Sequence, residues 1–390
     1  MLILRFFAGP NMHTLTDPPA VDTPGIQPPA AGPRTLSLGF SGSGREYFRI
    51  WVVNLLLTLA TLGIYSAWAK VRRLQYFDRN TILAGATFDF HGNPRAVLVG
   101  RLLSVLLLVA YHYAFGFSTS FGLVVIAGLL LAFPYLMRGA LRFRLGNTSY
   151  RGLRLGFDGS VAQAYLAWLP PALVFLLPGV LLALYPDKPA LAALPMPFYL
   201  LWPLMHAQIR RFQHAHLLFG DRHAEYDLRA RRFYRPYLVS GSLGLGAVFV
   251  TGMIGGFAGV AAGKGNTTAV VIAVVCGVVT LYLAYLLIGP YMVVRISNLA
   301  WSHTRFPGVR FRSTLPARRF MALQTKNALL TVLSLGLYRP FAVVNVYRFR
   351  LAHLTVEIDG DIEAAAAHVA TRASAAGDSV ADGFGIDLSW

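Results

Sequence analysis

Residues 54–77 read NLLLTLATLGIYSAWAKVRRLQYF, and residues 327–350 read NALLTVLSLGLYRPFAVVNVYRFR. The offset is constant (327 − 54 = 273), and nine of the 24 aligned positions are identical, including Asn54/Asn327, Thr58/Thr331, Gly63/Gly336 and Tyr65/Tyr338. A mixed polar and apolar text that returns in register points to a repeated structural unit. Two further offsets carry part of the same pattern. A shift of 67 takes Asn80, Thr81 and Gly85 to Asn147, Thr148 and Gly152, and a shift of 223 takes them to His303, Thr304 and Gly308. The same registers align Ala67-Trp68 with Pro134-Tyr135, Pro290-Tyr291 and, by 273, Pro340-Phe341. Proline removes a backbone donor and bends a helix, which is tolerated in a membrane where protein or water serves the freed carbonyl.

Composition sets the class. Of 390 residues, 55% are hydrophobic and only 13% charged, with a mean hydropathy of +0.53; soluble domains carry about 25% charged residues. Three pairs of apolar segments stand at 96–115 with 121–137, 161–185 with 190–207, and 237–262 with 268–294, several near the ~20 residues that a membrane helix needs. The turn inside each pair is short. Seven prolines within 1–40 mark a disordered tail, and the Ala-, Gly- and Asp-rich stretch 359–390 reads as a second. The repeat-built membrane domain is therefore 41–358. The apolar run 2–8 is broken by Arg5 and is too short for a signal-peptide core. Cys276, the single cysteine, reads as a small core residue and excludes an intrachain disulfide.

The net charge of +18 has a topological explanation. Lys and Arg collect on the cytoplasmic side of bacterial membrane proteins. Lys188 and Lys264 are the basic residues of the short turns, whereas the long links carry arginine after arginine. The turns then face outward and the links inward. A basic inner face touching anionic lipid accounts for the charge without nucleic acid. The two repeated runs are basic at both ends, and 328–338 offers only 11 residues before Arg339; runs of about 10–14 are more often re-entrant than spanning. The expected fold is all-α and polytopic: six spanning helices in three hairpins, plus two half-spanning elements hinged at Gly63 and Gly336, making eight hydrophobic segments. Short β elements, such as the alternating 81–92 and 353–358, lie on the cytoplasmic face, with both termini cytoplasmic.

Glu46-Tyr-Phe48-Arg-Ile50-Trp51, Thr61-Leu-Gly63-Ile-Tyr65, Trp68-Ala-Lys70-Val-Arg72, the Asn80-Thr81…Gly85…Phe88…Gly92 element and Leu335-Gly336-Leu-Tyr338-Arg-Pro340 resemble the YjgN-like bacterial inner-membrane proteins. The resemblance spans about 38–365 and implies a multi-pass inner-membrane protein of a family catalogued as a domain of unknown function. It supplies no catalytic residues.

The candidate pathway residues are Asn54, Thr58 and Thr61 with Asn327, Thr331 and Ser334, on one face of two matched half-helices, together with Arg101 and His112 in the second apolar segment. Helix-gluing hydrogen bonds and interfacial snorkelling are the alternatives for these same residues. Candidate hinges are Gly63, Gly336, Pro134, Pro290 and Pro340. His206, His214, His216 and His223 cluster in one link without a cysteine to complete a tetrahedral metal set, so no metal is assigned. Seven glycines between 241 and 259 suggest close helix packing. No nucleotide fingerprint, nucleophile–base pair or cofactor motif emerges, and an enzyme finds no support. No Asp or Glu lies inside an apolar segment, which argues against a proton-coupled carrier. The reading is a permease or channel-like protein for a small or amphipathic solute; the alternative is a non-catalytic scaffold binding anionic lipid.

Overall fold

A computed structural model describes residues 34–358. The expected tail 359–390, and the expected N-terminal tail as far as residue 33, lie outside the described residues. The end of the latter departs from expectation: Arg34–Ser37 is strand β1 and Gly39–Phe40 is β2. Leu36, Leu38 and Phe40 alternate with polar or small residues there, which is the strand period.

Two helices followed by a β-hairpin is the motif of the whole chain. The first unit holds α1 (Gly44–Ala60), α2 (Ser66–Arg79), β3 (Thr81–Leu83) and β4 (Ala86–Phe90). The second holds α3 (Pro94–Phe117), α4 (Thr119–Gly146), β5 (Thr148–Tyr150) and β6 (Leu153–Phe157). In the third, α5 (Val161–Leu184) is followed by two 3-10 turns and α6 (Trp202–Ala215), then β7 (Leu217–Phe219), β8 (Arg222–His223) and β9 (Glu225–Tyr226). The fourth is α7 (Tyr234–Gly263), α8 (Thr267–Trp301), β10 (Thr304–Phe306) and β11 (Val309–Ser313). The fifth is α9 (Ala317–Leu333), α10 (Arg339–Ala352) and β12 (Leu354–Ile358), and β1 supplies its missing second strand.

The strands close on themselves. Each second strand pairs within its own hairpin and then with the next unit's first strand. Thus β4 uses Ala86 and Thr87 against β3, then Phe88 to Phe90 against β5. The N-terminal strand does the same across Leu38, with β1 on β12 and β2 on β3. Likewise β8 pairs β7 and β9 pairs β10, on either side of Ala224. The helices follow this order, and α10 packs on α1 to complete the circuit.

One local device ends the second helix of every unit. The residue after the helix turns back to the carbonyl four residues earlier: Asn80 Nδ2 to Tyr76, Asn147 Nδ2 to Phe143, and the Nδ1–H of His216, His303 and His353 to Phe212, Leu299 and Phe349. Asparagine amides and imidazoles do the same work because each offers one donor at that reach. Among the described residues five buried apolar clusters follow, one at each junction between units, such as Ala67, Val71, Phe90, Val97 and Phe143 between the first and second.

Among the described residues, six helical runs are long and apolar enough to cross a membrane, and they form three hairpins: α3 with α4, α5 with 189–215, and α7 with α8. The run 189–215 is not one α-helix. Pro189, Pro195 and Pro197 deny it backbone donors, and it begins as 3-10 turns. The helix pairs α1–α2 and α9–α10 are shorter and turn at Leu62-Gly63 and Leu335-Gly336. Both glycines hold a positive φ, +94° and +93°, which an L side chain rarely adopts. Pro134 and Pro290 lie inside unbroken helices, and Pro340 stands in the first turn of α10, where a missing N–H costs nothing. The glycines of α7 do not serve close packing: a Cβ would meet nothing within 4 Å at six of the seven, Gly244 being the exception. Cys276 is exposed on α8 rather than buried in the core.

Candidate functional site

The second helices of units one, two, four and five, with α9, line an open cavity of about 840 Å³. Its basic lining residues are Lys70 and Arg73 on α2, Arg144 on α4, and Arg339 and Arg350 on α10, and among the described residues its lining holds no carboxylate. The spacing explains the convergence. Lys70, Arg73 and Phe77 fall on one face of α2, as do Arg339, Val343, Val346 and Arg350 on α10, each separated by three or four residues. Tyr282, Tyr285, Leu286 and Val293 of α8 form an apolar and aromatic wall.

Buried polar groups meet at the end of the cavity nearest the strands. Arg144 Nη2 donates to Asp78 Oδ1 at 3.0 Å, and the Arg144 guanidinium stands 5.1 Å from the centre of the Phe90 ring. Arg350 Nη2 donates to Ser297 Oγ at 3.3 Å. The Tyr347 and Thr81 hydroxyls are 2.9 Å apart, and Tyr347 sits in the field of Asp78, Arg144 and Arg350. Burial pushes the Asp78 carboxyl above the usual carboxylate range, opposed by Arg144 and reinforced by nearby Asp89. Burial also pushes the Tyr347 phenol up.

The predicted pathway residues divide. Asn327 and Thr331 line the cavity; Asn54, Thr58, Thr61, Ser334, Arg101 and His112 are not part of its lining. The hydroxyls of the two half-helices serve their own backbone. Thr58 and Thr331 donate to the carbonyls of Asn54 and Asn327, and the Thr61 and Ser334 oxygens accept from the amides of Tyr65 and Tyr338. These bonds lock the glycine turns in the same way at both copies. Asn54 and Asn327 are buried, and the Oδ1 of each lacks a hydrogen-bond partner among the described residues. His112 is exposed, its ring edge-on to Tyr113. The four linked histidines go to separate partners: His206 to Tyr237, His214 to Thr304, His216 to its helix-end carbonyl and His223 to Asp158. Asp78, Arg144 and Arg350 escaped the sequence reading. One signal was available: both arginines stand three residues before the helix-ending Asn147 and His353, the same register in two units.

Three relatives are named "Inner membrane protein YjgN". The one from Salmonella typhimurium is 35% identical over 156 residues, covering 38% of this chain and 37% of its own. Those from Escherichia coli O157:H7 and Escherichia coli strain K12 are 32% and 33% identical over 131 and 130 residues, about a third of either chain. The chain thus matches only about a third of the length of these curated relatives. No solved structure matches it. The helices describe an integral membrane protein, and a family model matches nearly all of the described chain and beyond, residues 35–383: the protein belongs to the family described as bacterial protein of unknown function, DUF898.

Proposed function

We propose that the protein is a permease-like carrier in the bacterial inner membrane that moves an anionic amphiphile along its central cavity. The observation that carries this reading is the charge of the cavity wall, five basic residues with no carboxylate among the described lining. Their heights are graded. At ~1.5 Å per helical residue, Arg144 and Arg350 lie ~4–5 Å from their helix ends, Arg73 ~10 Å, Lys70 ~15 Å and Arg339 ~21 Å. An anionic head group has a cation at each step, while the α8 wall offers its chain an apolar surface. Asn327 and Thr331 add neutral polar groups along the way.

The rest of the membrane arrangement belongs to the same proposal. At the same rise, α4 measures ~42 Å and α2 only ~21 Å, against a hydrocarbon core of ~30 Å. Phe40 pairs with Thr81, so both ends of the α1–α2 hairpin attach to the strand circuit. The two short hairpins are then re-entrant, with Leu62 and Leu335 at their tips, each 95% exposed in the isolated chain. The basic links support a cytoplasmic position for the strands and both termini, next to anionic lipid. A reporter fused at residue 80 should read as cytoplasmic, and periplasmic activity there would defeat this orientation.

The test of transport uses reconstituted vesicles carrying chain-labelled fluorescent phosphatidylglycerol or phosphatidylcholine, bleached from outside by dithionite. The protein should speed loss of the protected phosphatidylglycerol signal, and Arg73→Gln with Arg339→Gln should abolish most of that gain. Rates equal to those of protein-free vesicles, or equal for both lipids, would sink the proposal.

A further inference from the structure

We infer that Asp78 and Arg144 form a proton-coupled seat for a phosphodiester-class oxyanion: the anion takes over the Arg144 guanidinium, and the released Asp78 carboxylate accepts one proton from solution. The inference rests on the anion-carrying reading above and adds its coupling. The pair is held by one hydrogen bond where two are available. Asp78 Oδ1 meets Arg144 Nη2, while Asp78 Oδ2 and Arg144 Nη1 are both buried with no hydrogen-bond partner among the described residues. A guanidinium presents a planar fork suited to two oxygens of one anion, and a buried donor without an acceptor is costly. Arg144 lines the cavity, whereas Asp78 stands behind it, outside the lining. An oxyanion arriving from the cavity therefore reaches the Arg144 side chain before Asp78, and it gains the unpaired Nη1 only by displacing what covers that buried atom.

The charges around the pair make the exchange one for one. Facing Asp78 are Arg144 from α4, Tyr347 from α10, and Asp89 from β4, the last engaged by Arg79 at 2.7 Å, while Arg350 acts on Tyr347. The only carboxylate within hydrogen-bond reach of Arg144 among the described residues is Asp78. A monoanion bound to Arg144 would leave two negative charges sharing one cation in a buried site. Taking up one proton on Asp78 restores the original balance, with Arg144 charged throughout and no covalent bond made or broken. Burial already favours the protonated carboxyl, so the displaced state lies in the direction to which the site leans.

Phosphatidylglycerol keeps a single fixed charge between pH 5 and 8, and glycerophosphoglycerol is the same head without acyl chains. Binding of each to the purified full chain is measured by calorimetry in two buffers of different ionisation enthalpy, from pH 6 to 8. The expected result is uptake approaching one proton per anion and affinity that falls up to about tenfold per pH unit raised. Asp78→Asn should bind without proton uptake and with affinity flat across that range. If only phosphatidylglycerol binds with proton uptake, the seat serves a lipid head; if both probes do, it serves the free anion as well. Binding without proton uptake, or an unchanged pH slope in Asp78→Asn, overturns the coupling and leaves the carrier reading standing. Failure of both probes to bind removes the two together. Should Asp78→Asn not fold, the proton count of the native chain decides alone.

Discussion

Replacing Arg144 by methionine keeps most of the side-chain volume and removes the cation facing Asp78. The Asp78 side chain is 7% exposed, so its carboxylate would remain in place with no opposite charge in contact. Breaking one partner of a buried pair costs about 3–5 kcal/mol. Protonation caps that cost. Placing a proton on an aspartate whose unfolded value is ~3.9 requires ~1.4 kcal/mol per pH unit, or about 4 kcal/mol at pH 7. The same cap falls to about 1.5 kcal/mol at pH 5. The sign follows from the raised carboxyl. A folded pKa above the unfolded one means that folding is favoured by the proton, fully so below the unfolded value, with that advantage lost as pH rises through the folded value. Arg144→Met enlarges this upward shift, so its penalty grows between pH 5 and 7. At roughly 2 °C per kcal/mol for a chain of this size, the melting temperature in detergent should drop by about 6–8 °C at pH 7 and by less than half of that at pH 5. Adding Asp78→Asn should restore most of the loss. A drop that is constant with pH and untouched by Asp78→Asn would refute the electrostatic account of this pair.

Further expectations concern the fold. Gly63→Ala and Gly336→Ala each force a side chain to φ near +94° and should cost about 1–3 kcal/mol; being distant in sequence but equivalent, their melting shifts should match each other. His216→Asn should melt like the native chain, because asparagine performs the same capping at 80 and 147, whereas His216→Ala should lose about 1 kcal/mol. Phe90→Ala, at a fully buried ring, should cost about 3–5 kcal/mol in the same melt. Deleting 34–40 should open the strand circuit, seen as lost amide-exchange protection in β3 and β12 with little change in β5 and β6.

The apolar runs made the three long hairpins legible, since lipid demands long uninterrupted helices and composition reports them directly. The strands at 81–92 and 353–358 were legible from alternation, and the glycine turns from the doubled text. The number of units was not. Sequence offsets align Asn80 with Asn147, His303 and, by 273, His353, but none of the three offsets reaches His216, and the hairpin text after His353 is not kept. What recurs five times is one donor reaching one carbonyl, and letters do not record that. The cavity was hidden for a related reason. Along the chain Arg144 and Arg350 are two basic residues among many, and nothing there says that α4 and α10 share a cavity.

That sharing depends on the N-terminal strand. Because β1 completes the fifth unit and β2 starts the pairing of the first, the two short hairpins become neighbours, with α10 against α1. Four of the five basic lining residues, Lys70, Arg73, Arg339 and Arg350, lie on α2 or α10, the second helices of those hairpins. The apolar wall opposite comes from α8, the longest helix among the described residues at 35 residues. The cavity is therefore asymmetric by construction: charge on the side where the helices are shortest, apolar surface on the side where they are longest. On these short helices Arg350 and Arg73 stay within ~10 Å of the strand ends, near water, where their charge costs least. A long helix extends apolar surface beyond them. On the proposed reading, the circuit sets the surface for a head group apart from the surface for a chain by helix length, and lengthening α1–α2 by two turns should then erase the proposed anion preference while sparing the strands.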